Sequence, residues 1–412
     1  MCNSFYYLRA GAERCFLDLS ALLESHGHQV IPFSMQHEKN LPSPYSEYFI
    51  SYVDYPSLLR ENNGLGDRFK VMERVLYSRE ANRNITRLIQ DTKPDIAHIH
   101  GIGSETSPSI LPAIKGAGIP IVQTLHDYRL LCPQISFVSN GEICERCKVH
   151  RYYNVVRRRC KRESYSASLM AGIEITVHKL MQIYERNIDV FIAPSQFLKD
   201  KFLEFGFGNP IVHLTNFVNI EQFQPSYESD NYFVYYGRLV DYKGVFTLLE
   251  AMKEIPDSHL FVAGDGDAAE KMQRYIAENR LGNVSMLGHI DSEELIPLVQ
   301  NAAATVVPSQ WYENYSMSVI ESLACATPVI ASRIGGISEQ VLDGWNGLLF
   351  EPGSTSALAQ AMRYVLDNPM EREQMSLHAR QRVEELNDPQ QHYEKLMNIY
   401  ESLLNVSSYI PV

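Results

Sequence analysis

Between residues 29 and 193, and again between 232 and 331, short β-branched runs alternate with stretches of helical periodicity. This alternation constrains the fold more than any other feature, because strands separated by helix-length segments pair in parallel and need helices on both faces of the sheet. In the first half, strands are expected at Gln29–Phe33, Ile96–His100, Ile119–Leu125 and Val190–Ala193. Helices are expected there at Gly11–His26, Lys70–Gln90 and Gln196–Phe205. In the second half, strands are read at Tyr232–Tyr236, His259–Ala263, Val284–Leu287, Thr305–Val307 and Val329–Ala331. The matching helices are Gly244–Lys253, Ala268–Asn279, Glu293–Asn301, Ser318–Cys325 and Ser356–Asn368. The 412 residues suit two domains of about 200 each, and a Pro- and Asn-bearing stretch, Asn216–Tyr227, lies between the halves. We therefore expect an α/β chain of two doubly wound units: 1–217, then 218–388, with 389–412 as a final helix crossing back to the first.

Composition narrows the function class. Apolar residues make up 45% and charged residues 21%, as in a soluble globular protein. No basic segment followed by an apolar one opens the chain, and no run reaches the ~18 apolar residues of a membrane span. The expected location is the cytoplasm, with peripheral contact to the inner face of the membrane. A net charge of −12 excludes a general nucleic-acid binder. Against this background, Gly141–Tyr165 holds eight basic residues (Arg146, Lys148, Arg151, Arg157, Arg158, Arg159, Lys161 and Arg162) and three acidic ones. That excess of 8 − 3 = +5 reads as a face for anionic lipid, with Tyr152 and Tyr153 at the headgroup level, or as charge solvating a loop.

The chemistry concentrates near Trp311–Glu321, WYENYSMSVIE. Two carboxylates, Glu313 and Glu321, are separated by seven residues. The local pattern of strand, loop and helix puts Glu313 at the carboxyl end of a strand and Glu321 about two turns into the next helix. Asn314, Tyr315 and Ser316 would offer N–H groups at the helix start, a ready anion site. A second strand–loop–helix, Tyr235–Ala251, carries Arg238 and Lys243 on the edge where open α/β sheets bind ligands. Two cations there suit a diphosphate. Gly264 and Gly266 follow another strand but lack the third glycine of a dinucleotide fingerprint, so they read as a tight turn. Gly335 and Gly336 let the chain turn close to the site. In the first half, His126 and Asp127 stand just past a strand, where a histidine can reach a cleft and orient a hydroxyl or phosphate.

These motifs resemble the retaining glycosyltransferases of family 4, which share the GT-B fold of two Rossmann-like domains with parallel sheets facing across a cleft. The resemblance covers nearly the whole chain and is clearest over Tyr232–Gly353, in the Glu-x₇-Glu element, in Gly-Arg-x₄-Lys-Gly and in Ser332–Gly353. It implies a nucleotide-sugar donor (UDP-, GDP- or ADP-linked) bound mainly by the second domain, and a glycan or lipid-linked acceptor bound mainly by the first. It also implies retention of anomeric configuration with no catalytic metal or other cofactor. Glu313 would position the donor sugar, Glu321 the ribose hydroxyls, Arg238 and Lys243 the diphosphate, and His126 the reacting sugar or acceptor. Gly11, Gly266, and His289 and Ile290 of the LGHI segment would complete the donor site. Ala10 stands where the family has the first glycine of a pair, and the run Met1–Tyr7 is short for a first core strand. A nucleotide-sugar 2-epimerase of the same fold and a non-catalytic binding module are the alternatives.

One motif stands apart. Cys132, Cys144, Cys147 and Cys160 follow the pattern C-x₁₁-C-x₂-C-x₁₂-C, inside an insertion of about residues 132–165. Four thiols so spaced fit a structural zinc, or else remain as free thiols in a loop.

Overall fold

The computed structural model describes residues 1–53 and 73–407. The first sheet is parallel and four-stranded: β1 (Ala97–Ile99), β2 (Ile121–Thr124), β5 (Val190–Ala193) and β6 (Ile211–His213), in the order β1-β2-β5-β6. Within the insertion, a short hairpin forms from β3 (Val138–Ser139) and β4 (Glu142–Ile143). Helices α1 (Gly11–Ser25), α2 (Arg79–Thr92), α3 (Ile110–Gly116), α4 (Tyr153–Arg157), α5 (Tyr165–Met181) and α6 (Gln196–Glu204) complete this half. The short opening run does take a strand's place. Cys2 bridges Ile99 on one side and Phe33 on the other, and its N–H donates to the His98 carbonyl at 2.8 Å. The expected strand Gln29–Phe33 survives only as that bridge.

The second sheet is parallel and six-stranded. Its members are β7 (Tyr232–Tyr236), β8 (His259–Ala263), β9 (Val284–Gly288), β10 (Ala304–Val307), β11 (Val329–Ser332) and β12 (Gly347–Phe350), in the order β12-β11-β10-β7-β8-β9. The central strands β10 and β11 are buried along their whole length, the mark of a sheet covered on both faces. The covering helices are α7 (Val245–Met252), α8 (Ala269–Glu278), α9 (Ser292–Gln300), α10 (Met317–Ala324), the short α11 (Ile337–Gln340) and α12 (Thr355–Asp367). Two long helices follow, α13 (Pro369–Leu386) and α14 (Pro389–Ser407). Leu396 and Tyr400 of α14 are buried against Leu19, Leu23, Val122 and Ile192 of the first sheet's layer, so the chain ends on the half where it began.

Several elements depart from expectation for identifiable reasons. Three positions of the expected helix Lys70–Gln90 lie outside the described residues, and the remainder is broken at Ser78. The Ser78 hydroxyl accepts the Ala81 N–H at 3.2 Å and starts α2 anew. Helix α5 has apolar residues on both faces and so shows no stripe in the sequence. Helix α13 escapes for the opposite reason. It is polar almost all round and buries only a narrow line that includes Met375, Ala379 and Val383.

Candidate functional site

Strand order places the site. In the second sheet β10 and β7 are neighbours, and the chain runs outward from them in both directions, so a crevice opens at their carboxyl ends. The loop after β7 carries Arg238 and Lys243, and the loop after β10 carries Glu313. Three donors converge on the Glu313 Oε1. Lys243 Nζ and Ser309 Oγ each lie 2.6 Å away, and the Trp311 indole N–H lies 2.8 Å away. Glu313 is only 5% exposed, so this anion is fixed rather than solvated. The Lys243 ammonium also lies 5.3 Å from the centre of the Trp311 ring, a cation–π contact that further limits where it can go. Arg238 is exposed, and among the described residues no carboxylate lies within ion-pair range of its guanidinium.

Glycines allow these loops to touch. A Cβ on Gly244 would stand 1.8 Å from the Pro308 carbonyl oxygen, and one on Gly336 would stand 1.8 Å from that of Asn314. Gly335 has φ +59° and packs on the Glu313 backbone. The Gly266 turn presses on the Leu239 backbone, with φ +155°, which makes it a shape residue of the edge between β7 and β8. Asp265 and Asp267 frame this turn, and the Asp265 carboxylate accepts the Gly266 N–H at 2.7 Å. His289 is exposed and Ile290 half-buried just past β9 on the same edge.

One donor of the expected anion site at the start of α10 already has a partner within the chain. The Ser316 N–H donates to the Gln340 side chain at 2.9 Å. Tyr315 is buried, and its hydroxyl accepts from Asn387 at 2.8 Å. Asn314 is a strut to the first half: its side-chain amide donates to the Leu125 carbonyl at 2.8 Å and its Oδ1 accepts from Ser195 at 3.3 Å. Of the three N–H groups read from the sequence as an anion site, that of Ser316 is taken by Gln340, while the side chains of Asn314 and Tyr315 brace the loop around Glu313. Gln340 lies 24 residues on from Ser316, so no local pattern announces it.

Glu321 sits just over one turn into α10, which begins at Met317, not two turns as the spacing suggests. It faces α1, with Arg14 Nε 4.0 Å from its carboxylate. Burial pushes the carboxyl up to about 7, with Arg14 opposing and Asp18 adding to the rise. Gly11 opens α1 opposite α10, with room for a Cβ 3.6 Å from the Met317 side chain.

On the other side, His126 follows β2, and its Nε2 is 2.9 Å from the His100 Nδ1, with the rings stacked. Burial lowers the His126 imidazole to about 4, so it is neutral at pH 7 and offers a hydrogen bond rather than a charge. Behind it, His98 binds the Tyr400 hydroxyl of α14 at 2.6 Å and Thr124 at 2.8 Å. Sequence reasoning missed His100, Ser309, Trp311 and Arg14 as supports. Only Ser309 and Trp311, close to Glu313 in the chain, left any local signal. Among the described residues, no group of three or more His, Cys, Asp or Glu side chains converges as a metal site.

Comparison with known proteins agrees with this architecture. A family model described as Glycosyltransferase Family 4 matches residues 9–222, and one described as Glycosyl transferases group 1 matches residues 217–382. An uncharacterized glycosyltransferase of Methanocaldococcus jannaschii is 33% identical over 183 residues, which is 44% of this chain and 51% of that protein. A glycogen synthase of Mycobacterium tuberculosis is 34% identical over 155 residues, 36% of this chain and 37% of that protein. The chain thus spans about half or less of these curated relatives. Sucrose-phosphate synthase from Thermosynechococcus elongatus superposes with a TM-score of 0.69 at 22% identity, covering 98% of this chain and 96% of that one. HepE of Anabaena, solved with UDP-glucose, does so with a TM-score of 0.65 at 17% identity, covering 97% and 98%. At these identities the solved structures speak for the fold, and the family models speak for the family. The chain belongs to glycosyltransferase family 4 and has the GT-B fold.

Proposed function

We propose that this chain transfers a sugar from a nucleotide-sugar donor to a glycan or lipid-linked acceptor, with retention at the anomeric carbon and without a catalytic metal. The observation that carries the reading is the Glu313 carboxylate, held by Lys243, Ser309 and Trp311 at the crevice between β7 and β10. The donor's diphosphate would lie against Arg238 and Lys243. The lysine ammonium has three N–H donors, so it can keep Glu313 and add a phosphate oxygen. When the bond from the anomeric carbon to the phosphate oxygen breaks, those cations stabilise the charge left on the diphosphate. The acceptor hydroxyl then bonds to the same face of the anomeric carbon, and its proton passes to the departing phosphate oxygen. Glu313 holds the donor sugar, neutral His126 orients a hydroxyl, and Glu321 takes the ribose. HepE was solved with UDP-glucose, and one relative is named as GDP-mannose-dependent, so both bases belong in the test.

Donor turnover across UDP-, GDP- and ADP-sugars, with EDTA present, tests this reading. We expect one class to be consumed, with activity surviving the chelator. Glu313→Gln and Lys243→Ala should each lower the rate by ~10²-fold or more while leaving the thermal transition in place. Near-normal turnover in both variants would remove the assignment. Release of an epimerised sugar with no acceptor present would replace it with an isomerase.

The acceptor side of the proposal includes a membrane. On α5, Tyr165, Leu169, Leu180 and Met181 are 57%, 51%, 79% and 44% exposed. Its charged residues turn elsewhere, since Glu174 accepts from Ser104 at 2.9 Å and Lys179 pairs with Glu185 at 2.6 Å. The Arg159 guanidinium lies 4.2 Å from the Tyr165 ring, which ties the basic cluster to the start of this apolar face. Exposed apolar side chains with an arginine against one end of the face suit an anionic lipid surface. No helix among the described residues is long and apolar enough to cross a membrane.

A further inference from the structure

Most of the insertion after β2 lies outside the core of the first half. Its regular structure is the two-residue hairpin β3–β4 and the five-residue helix α4; Cys132 and Phe137 at its start pack into the core of the first half, and beyond them Cys147, Tyr152 and Ile175 form a small cluster of their own. Yet its backbone is strained. Eight of the thirteen non-glycine residues with positive φ among the described residues lie between 135 and 163, including Ile135 at +70° and Val149 at +58°. β-branched residues avoid this conformation, so it persists only where the surroundings over-determine it. Past Phe137 the insertion is held by a short hairpin, a small apolar cluster and the partly exposed ion pairs of Glu145 and Lys148 with α6, which are weak restraints for such a backbone.

The four cysteines supply what is missing. Cys132, Cys144, Cys147 and Cys160 come from separate points on the insertion and line one cavity of about 10 Å³, together with Phe137, Ser139 and Arg158. That volume is about one water-sized sphere. All four are free thiols, and the Cys160 Sγ makes only a weak bond to the Ser139 hydroxyl, at 3.4 Å. The thiols face a common space without being drawn to a common point, in keeping with the lack of a converged metal group among the described residues. Protonated thiols have nothing to pull them together. A metal would supply the pull, with sulfur at ~2.3 Å in a tetrahedral shell.

We propose that this cavity binds one structural Zn²⁺ through the four thiolates. Each thiol gives up its proton to solvent as the ion enters, and the metal closes a staple between the two flanks of the insertion. Four protein ligands leave no open position, so the ion has no part in sugar transfer, and the inference stands independently of the transferase reading. Oxidation of the same thiols to disulfides is the competing outcome.

The test is metal and thiol analysis of the full chain, expressed with zinc supplied and purified without chelator. We expect about one zinc per chain. Removal by EDTA should lower the thermal transition and speed proteolysis within residues 132–165. Zinc should fall to a small fraction in Cys147→Ser and Cys160→Ser but stay bound in Cys325→Ala, whose thiol is buried far along the chain at the end of α10. Should the variants fail to fold, Co²⁺ exchanged into the wild-type chain gives a separate readout, and thiolate-to-cobalt charge-transfer absorption is expected. Well under one zinc per chain, no such absorption, or fewer than seven titratable thiols under denaturant would overturn the proposal.

Discussion

Glu321 is half-buried between α10 and α1 with one distant cation beside it. Its carboxyl is raised from 4.5 to about 7, so the folded protein favours the protonated form. The unfolded chain loses this proton at lower pH, so the group's contribution to stability is full below about pH 4.5 and is lost as pH rises through about 7. A tenfold difference in proton affinity is worth ~1.4 kcal/mol, so the loss amounts to about 3 kcal/mol. Without donor, Glu321→Gln should therefore match the wild type in thermal stability near pH 5 and exceed it above pH 7. Melting curves at several pH values check this, and a difference that stays flat with pH would show that the carboxyl is not so buried. The same residue marks how far sequence reading reaches. Its presence and its helix are legible, because seven-residue spacing and a strand–loop–helix pattern are local. Its neighbour Arg14 is not, because 307 positions separate the two and only the fold brings them together. Glu313 repeats the lesson: the carboxylate and Lys243 both stand out in the chain, but the hydrogen bonds that fix them require coordinates.

At the scale of elements, loops and glycines set the precision of the site. The first five strands of the second half and most of its helices are legible to within a residue or two, because buried parallel strands appear as short β-branched runs with capped helices between them. What escapes is the packing of one loop on another. Gly336 has an ordinary φ of −70°, so its requirement is purely spatial: a Cβ would meet the Asn314 carbonyl at 1.8 Å and Ser195 at 3.0 Å. Gly336→Ala must push the loop that carries Glu313 and Asn314. We expect a loss of ~1–3 kcal/mol in stability and a larger relative loss in turnover, since the carboxylate is displaced. Gly116, at the end of α3, is the control. Nothing lies within 4 Å of its Cβ position, so Gly116→Ala should be neutral or stabilising by ~0.5–1 kcal/mol. Denaturant titration alongside donor turnover separates the two effects. Equal behaviour of the two variants would mean that the loop contact does not constrain the site.

At the scale of the whole molecule, the proposed lipid-linked acceptor requires an acidic protein to meet an anionic surface. The charge pattern points to a face over Glu142–Arg162, and the structure redistributes it. Lys148 is spent on Glu204 at 2.6 Å, Arg158 donates to Ser139, and Tyr152 is only 6% exposed and cannot reach a headgroup. Arg146, Arg151, Arg157, Arg159 and Arg162 remain exposed, as does Tyr153. What the sequence does not reveal is α5, whose outward side chains supply an apolar surface that Arg159 meets at Tyr165. Each arginine near an anionic surface adds ~1 kcal/mol, and the apolar side chains add a part that salt does not screen. The two parts can be told apart. Co-sedimentation with liposomes containing acidic phospholipid should be strong at low salt and weaker at high salt. Arg157→Ser with Arg159→Ser should remove most of the salt-sensitive binding. Leu169→Ser with Leu180→Ser should remove the binding that persists in high salt, and should leave turnover of a soluble acceptor analogue unchanged. Arg158 is left intact in this design because its bond to Ser139 belongs to the insertion's own structure. If neutral and acidic liposomes bind equally, or if neither pair of substitutions alters sedimentation, α5 is not the face that meets the lipid.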